Sequence, residues 1–277
     1  LWRNLTNEKV ALSSVRITEI VEQGIPSFKI ETSSATYIYD RQGGGFISMF
    51  DKDGKDWISF KTTDLGQPGN AASQYRGIPN LGIGGEDNEA GHPGFNKCET
   101  EVVAPNVIET TTKTGNWKFR WAFYDSFAKL TMVKTVPDQT YWFLYEGTPA
   151  GKYDPEKMYW GNNIDGKRVD FPDLLDNTGI FKNMKWVYAG QMGYPRIIYF
   201  RQIHPDEKTD LFSYMGSTRG GSKKSPDGMV CFGFGRAHGT RPVLTGDNQE
   251  FITGFIDREI IDRDDHNYVM KNIESQR

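Results

Sequence analysis

The chain has 277 residues and a formal net charge of −3, so it carries no basic footprint for nucleic acid. Aromatic residues make up 13% of it, seven Trp, thirteen Tyr and seventeen Phe, which is enough material for a substantial core. No apolar run approaches the ~18 residues of a membrane span.

Taken in chain order, nearly every periodic segment reads as strand. Residues 15–21, 28–31 and 35–40 alternate and are rich in β-branched and aromatic side chains. Gly43-Gly44-Gly45 interrupts the pattern before a strand at 46–50. Asp51-Lys-Asp53-Gly54-Lys-Asp56 has the composition of a hairpin turn, and a strand resumes at 57–60. Residues 64–99 then lose all period and are crowded with Gly, Pro, Asn and ionisable groups. Loops of that length in compact folds are usually functional or disordered. This one holds Tyr75, Arg76, Glu86, Asp87, Glu89 and His92, and Ile78, Leu81, Ile83 and Phe95 give it apolar anchors, so it is expected to lie ordered against a sheet. Four strands follow at 101–112, 117–124, 128–136 and 140–146. An irregular stretch at 147–183 precedes strands at 184–189, 196–202, 210–215, 229–235 and 251–257. Only the last fifteen or so residues suit a helix. The pattern predicts an all-β protein, a large antiparallel sandwich with little helix, in one domain over residues 1–277.

Residues 35–57, Ala-Thr-Tyr-Ile-Tyr-Asp-Arg-Gln-Gly-Gly-Gly-Phe-Ile-Ser-Met-Phe-Asp-Lys-Asp-Gly-Lys-Asp-Trp, resemble the opening of the galactose-mutarotase-like β-supersandwich superfamily. A strand, a Gly-rich turn, a second strand ending in a hairpin and an aromatic strand follow one another there. The superfamily contains aldose epimerases and the sandwich domains of polysaccharide lyases and glycoside hydrolases. The resemblance implies a supersandwich fold and a sugar or polysaccharide as partner. It does not supply a complete catalytic set of His and Glu, so the reaction is read from the residues.

Two clusters carry chemistry. In the loop, Glu86-Asp87-Asn88-Glu89-Ala-Gly-His92 reads in three ways: Glu86, Asp87 and Glu89 as oxygen ligands for a hard cation such as calcium, an acid/base pair for a sugar, or a solvated loop tip. No cofactor is required by any motif. On the strand Tyr194-Pro-Arg196-Ile-Ile-Tyr-Phe-Arg-Gln202-Ile-His204, alternation puts Arg196, Gln202 and His204 on one face. Arg196 there suits a uronate carboxylate, and His204 suits proton abstraction beside it. The expected catalytic set is therefore His204, His92 and Tyr75, with Arg76, Arg196, Gln202, Glu86, His238 and Trp160 binding substrate in a common cleft. Trp160 is the expected stacking platform, Trp142, Tyr159 and Trp186 further candidates, and Trp57, Trp117 and Trp121 core.

These residues predict acid/base chemistry of lyase or epimerase type on a sugar or uronate polymer, with a non-catalytic glycan-binding protein or a structural sandwich as alternatives. The sequence begins at Leu1 and carries an Asn4-Leu5-Thr6 sequon, consistent with a mature secreted, periplasmic or cell-surface protein. Cys98 and Cys231 are either one long-range disulfide or two buried thiols.

Overall fold

The computed structural model describes residues 14–67, 72–173, 177–216, 225–237 and 240–276; Asn4 and His238 lie outside these. In chain order the strands are β1 Arg16–Glu22, β2 Ile25–Glu31, β3 Ala35–Asp40, β4 Gly45–Asp51, β5 Cys98–Ala104, β6 Val107–Thr112, β7 Lys118–Phe123, β8 Phe127–Lys134, β9 Phe143–Gly147 and β10 Met158–Asn162. They continue with β11 Gly166–Arg168, β12 Ile180–Lys182, β13 Trp186–Gln191, β14 Ile197–Gln202, β15 Thr209–Met215, β16 Met229–Phe234, β17 Arg236–Ala237, β18 Arg241–Pro242 and β19 Glu250–Ile256, followed by helix α1, Arg263–Ser275. Among the described residues the fold is all-β apart from this helix and short 3-10 turns.

One layer is a nine-stranded antiparallel sheet in the order β11-β10-β13-β14-β19-β8-β7-β6-β5. The other is built from two four-stranded sheets, β1-β2-β3-β4 and β12-β15-β16-β9. Residues 77–81 of the long loop stitch their edges together. Gly77 and Glu146 exchange both backbone bonds at 2.8 and 3.0 Å, Leu144 N–H reaches the Pro79 carbonyl at 2.8 Å, and Phe46 N–H of β4 reaches the Ile78 carbonyl at 2.7 Å. The loop thus satisfies sheet edges that would otherwise stand unpaired.

Aromatic pairs fill the space between layers: Phe46 with Trp121, Phe143 with Phe251, and Tyr145 with Phe200. Trp57, Trp117 and Trp121 are fully buried, as expected for core. Helix α1 covers the outer face of β13 and β14, burying Val269 and Ile273 against Trp186, Tyr188 and Tyr199. Its start is fixed by a capping box between Asp262 and Asp265.

Two sequence expectations are corrected. The run 101–112 is a hairpin, β5 and β6, turning at Pro105-Asn106, and the stretch 147–183 contains the short strands β10, β11 and β12. Cys98 and Cys231 are buried free thiols.

Candidate functional site

On β9 the side chains alternate. Phe143 and Tyr145 enter the core, so Trp142, Leu144 and Glu146 face the other way. The same alternation on β16 sends Val230, Phe232 and Phe234 inward and Cys231 outward, and Cys231 stands directly opposite Glu146 in the ladder. The loop folds over this outward face. It approaches closely because Gly43-Gly44-Gly45 leaves room: a Cβ on Gly43 would lie 2.3 Å from the His92 carbonyl oxygen. Asp40 accepts from Gly43 N–H at 2.9 Å and Gly94 N–H at 2.8 Å, and Gly91 N–H donates to the Gly43 carbonyl at 2.9 Å. Gly82, at φ +58°, lies against the Trp142 indole, where a Cβ would meet Cε2 at 2.4 Å.

Between loop and sheet lies a cavity of about 540 Å³. Tyr75, Asn80, Glu89, His92 and Phe95 line it from the loop, Trp142 and Glu146 from β9 and the residue before it, and Arg236 from β17. Aromatic surface with a few convergent polar groups is the usual make-up of a small-molecule site.

Glu146 is only 4% exposed. Burial pushes its carboxyl up to about 7, against the opposing pull of Arg236 and a hydrogen bond with Cys231. Asn80 Nδ2 donates to Glu146 Oε2. Arg236 Nη1 lies 4.0 Å from Glu146 Oε1 and donates to Cys231 Sγ, and its guanidinium sits 5.2 Å from the centre of the Trp142 ring. His92 is buried among Phe60, Tyr75 and Phe95. Its Nδ1 pairs with the Pro93 carbonyl at 2.7 Å, which makes Nδ1 the protonated nitrogen; Nε2 is buried and has no hydrogen-bond partner among the described residues. Burial lowers the His92 pKa despite the neighbouring Tyr75 and Pro93 carbonyls, so the ring is neutral at pH 7. Tyr75 is 46% exposed at the rim.

The cavity thus gathers His92, Tyr75 and Glu89 from the expected set. Of the others, His238 lies outside the described residues and the remainder stand elsewhere. Arg196 is buried away from the cavity lining, bonded to Asp51 and Asp53 at 2.9 Å and to Asp257 at 2.6 Å, so its charge is spent within the protein. Gln202 is buried and donates to Asp206 at 3.0 Å. Both share the β14 face of Ile198 and Phe200, which is the sandwich interior; the other face is closed by α1, where Arg201 donates to the carbonyls of Ile273, Glu274 and Gln276. His204 lies past the end of that strand, 65% exposed and 3.8 Å from Glu250. The common cleft of His204 and Arg196 with the loop is therefore not formed.

Trp160 belongs to β10 and stacks on Phe212 at 4.1 Å in the core, so it offers no platform. Arg76 is buried and donates to the backbone carbonyls of Ser59, Asp227 and Gly228 at 2.9–3.2 Å, fixing the loop rather than meeting the cavity. Glu86 is exposed, while Asp87 is buried and accepts from Thr114 at 2.7 Å and Asn116 at 3.2 Å. Among the described residues no group of three His, Cys, Asp or Glu is arranged to hold a metal. Glu146, Asn80, Arg236 and Cys231 are not site candidates by sequence, Cys231 being read there only as a disulfide partner or a buried thiol. Their one signal is an acid in the apolar run Phe-Leu-Tyr-Glu146, on the same parity as Trp142.

No protein-family model and no curated protein matches the chain. Its structure is similar to that of HI1317, with a TM-score of 0.54 at 12% identity, over 92% of this chain and 98% of the other. A galactose mutarotase-like protein from Lactobacillus casei ATCC 334 gives a TM-score of 0.48 at 11% identity, over 83% of this chain and 99% of that one. A putative mutarotase (YeaD) from Salmonella typhimurium gives 0.49 at 9% identity, over 88% and 94%. The fold is thus shared with HI1317 over nearly the whole of both chains. At such identities the likeness is one of fold.

Proposed function

We propose that the chain is a sugar-transforming enzyme of epimerase type, working by proton transfer in the cavity above β9. The observation that carries this reading is Glu146, a buried carboxyl with its pKa pushed up to about 7 at the wall of a cavity of sugar size. A group poised near the working pH can both take and return a proton. Glu146 would deprotonate a sugar hydroxyl, and the neutral His92 imidazole is the second group at the wall able to move a proton. Asn80 fixes the carboxyl's orientation, Arg236 balances its charge once it is ionised, and Trp142, Tyr75 and Phe95 supply apolar surface for the sugar ring. A lyase acting on a uronate is less well supported, because Arg196 is occupied by three aspartates.

The test is anomer exchange followed by NMR on a panel of free aldoses, with wild type and Glu146→Gln side by side. Acceleration by wild type that the variant loses by roughly 10²–10⁴-fold is the expected outcome. Equal rates for the two proteins would overturn the assignment. Sugar-dependent chemical shifts without exchange would favour a glycan-binding protein on the same cavity.

A further inference from the structure

Behind Glu146, one layer back from the cavity lining, lies a side chain that the proposed reaction does not use. Cys231 is fully buried and faces Glu146 across the β9–β16 ladder, where opposite residues bring their Cβ atoms within about 5.5 Å. Its sulfur accepts a hydrogen bond from Arg236 Nη1. Arg236 follows a bend at Gly235, where φ is +76° and a Cβ would lie 2.2 Å from Leu244 Cγ. The Gly235 N–H is in turn bound by the Asp210 carboxylate at 2.8 Å.

A thiol has a single proton. With its lone pair facing Arg236, that proton is left for the acceptor on its other side, and the acceptor there is the Glu146 carboxyl. We propose that Cys231 is a positioning residue that tunes Glu146, donating its S–H to the carboxylate while accepting from Arg236, so that the three side chains form one relay behind the cavity. The inference rests on the function proposed above only for its purpose; the relay itself is a property of the folded protein.

The choice of a thiol has a physical consequence. An S–H is a weak donor. A hydroxyl at the same place would stabilise the carboxylate more and hold it ionised; an apolar side chain would stabilise it less and hold it protonated. The thiol leaves Glu146 between these limits. Burial keeps Cys231 itself protonated, so it remains a donor across the working range. The other groups facing Glu146 are Arg236 from β17 and Asn80 from the loop, with Tyr75, Glu89 and His92 on the same cavity. Of these, only Arg236 is in contact with Cys231.

The experiment is a titration of the Glu146 carboxyl by carbon-13 NMR without sugar, assigned by the signal lost in Glu146→Gln. In Cys231→Ala the midpoint is expected to rise by about one pH unit, the equivalent of one modest hydrogen bond. In Cys231→Ser it is expected to fall. Midpoints in both variants indistinguishable from wild type would overturn the relay, even if thermal stability drops, since a merely structural thiol would change stability without moving the titration. Should the alanine variant not fold, the serine variant decides alone, and an unmoved midpoint there is fatal. Failure to find a sugar substrate would sink the proposed function and leave this titration standing; an unmoved titration would leave any turnover assigned to Glu146 intact.

Discussion

Two buried arginines, Arg196 and Arg236, sit in opposite electrostatic settings. Arg196 meets three aspartates, two of them about half exposed, with Lys52 closing the cluster on Asp257. Burial opposes ionisation of Asp51, yet donors from Tyr194, Trp57, Lys55 and Arg196 bring its pKa below the usual range; Asp257 is lowered likewise, by Lys52 and Arg196 working against its desolvation. Arg236 has one carboxyl at 4.0 Å, a thiol and an indole face, and that carboxyl stays raised. An over-compensated arginine locks its acids in the charged form and builds structure. An under-compensated one leaves its acid able to change state, which is what proton transfer requires.

The comparison breaks most sharply at Glu146. Glu146→Gln is expected to lower turnover by roughly 10²–10⁴-fold with the fold retained, measured by anomer exchange and by circular dichroism. Arg196→Ala should act in the opposite manner. It strands Asp51 without its charge partner and is expected to cost about 3 kcal/mol in denaturant unfolding, while the Glu146 titration stays where it was.

The pH dependence of stability sharpens the contrast. The folded pKa of Glu146 is raised from 4.5 to about 7, so the unfolded chain ionises first. Stability contributed by the protonated group is complete below about 4.5 and is lost as pH rises to about 7, a fall of roughly 3 kcal/mol. Asp40, Asp56 and Asp210, raised by burial, slope the same way. Asp51 and Asp257 are depressed and slope the other way: their stability is present above the ordinary aspartate pKa and is lost as pH falls below it. Glu146→Gln should flatten the curve between 4.5 and 7, read from urea midpoints at a series of pH values, and leave the acid limb unchanged. The smallest effect belongs to His204, half out of the fold and 3.8 Å from Glu250. His204→Ala is expected to change stability by no more than about 0.5 kcal/mol and leave exchange rates untouched.

What the sequence reveals of this site follows the range of the interactions. The Gly43–Gly45 run and the non-periodic loop are local signals, and both mark where the loop lies on the sheet. The alternation of β1 to β4, β7 to β9 and β13 to β16 is local as well, and so is the capping box of α1. Arg196 looked like a sugar ligand because its partners are far along the chain: Asp257 is 61 residues away and Asp53 is 143. Trp160 looked like a loop residue because β10 to β12 are short and two of them span only three residues each. Glu146 was overlooked because its neighbours come from three separate segments, at Asn80, Cys231 and Arg236, and only the fold turns a single acid in an apolar strand into a buried acid at a cavity wall.

The most direct test compares two midpoints on one protein: the pH at which the Glu146 carboxyl titrates, by carbon-13 NMR, and the pH at which sugar anomer exchange reaches half its limiting rate. Both are expected near 7, with the rate rising as the carboxylate forms. A carboxyl that titrates near its ordinary 4.5, with exchange following some other group, would contradict the account.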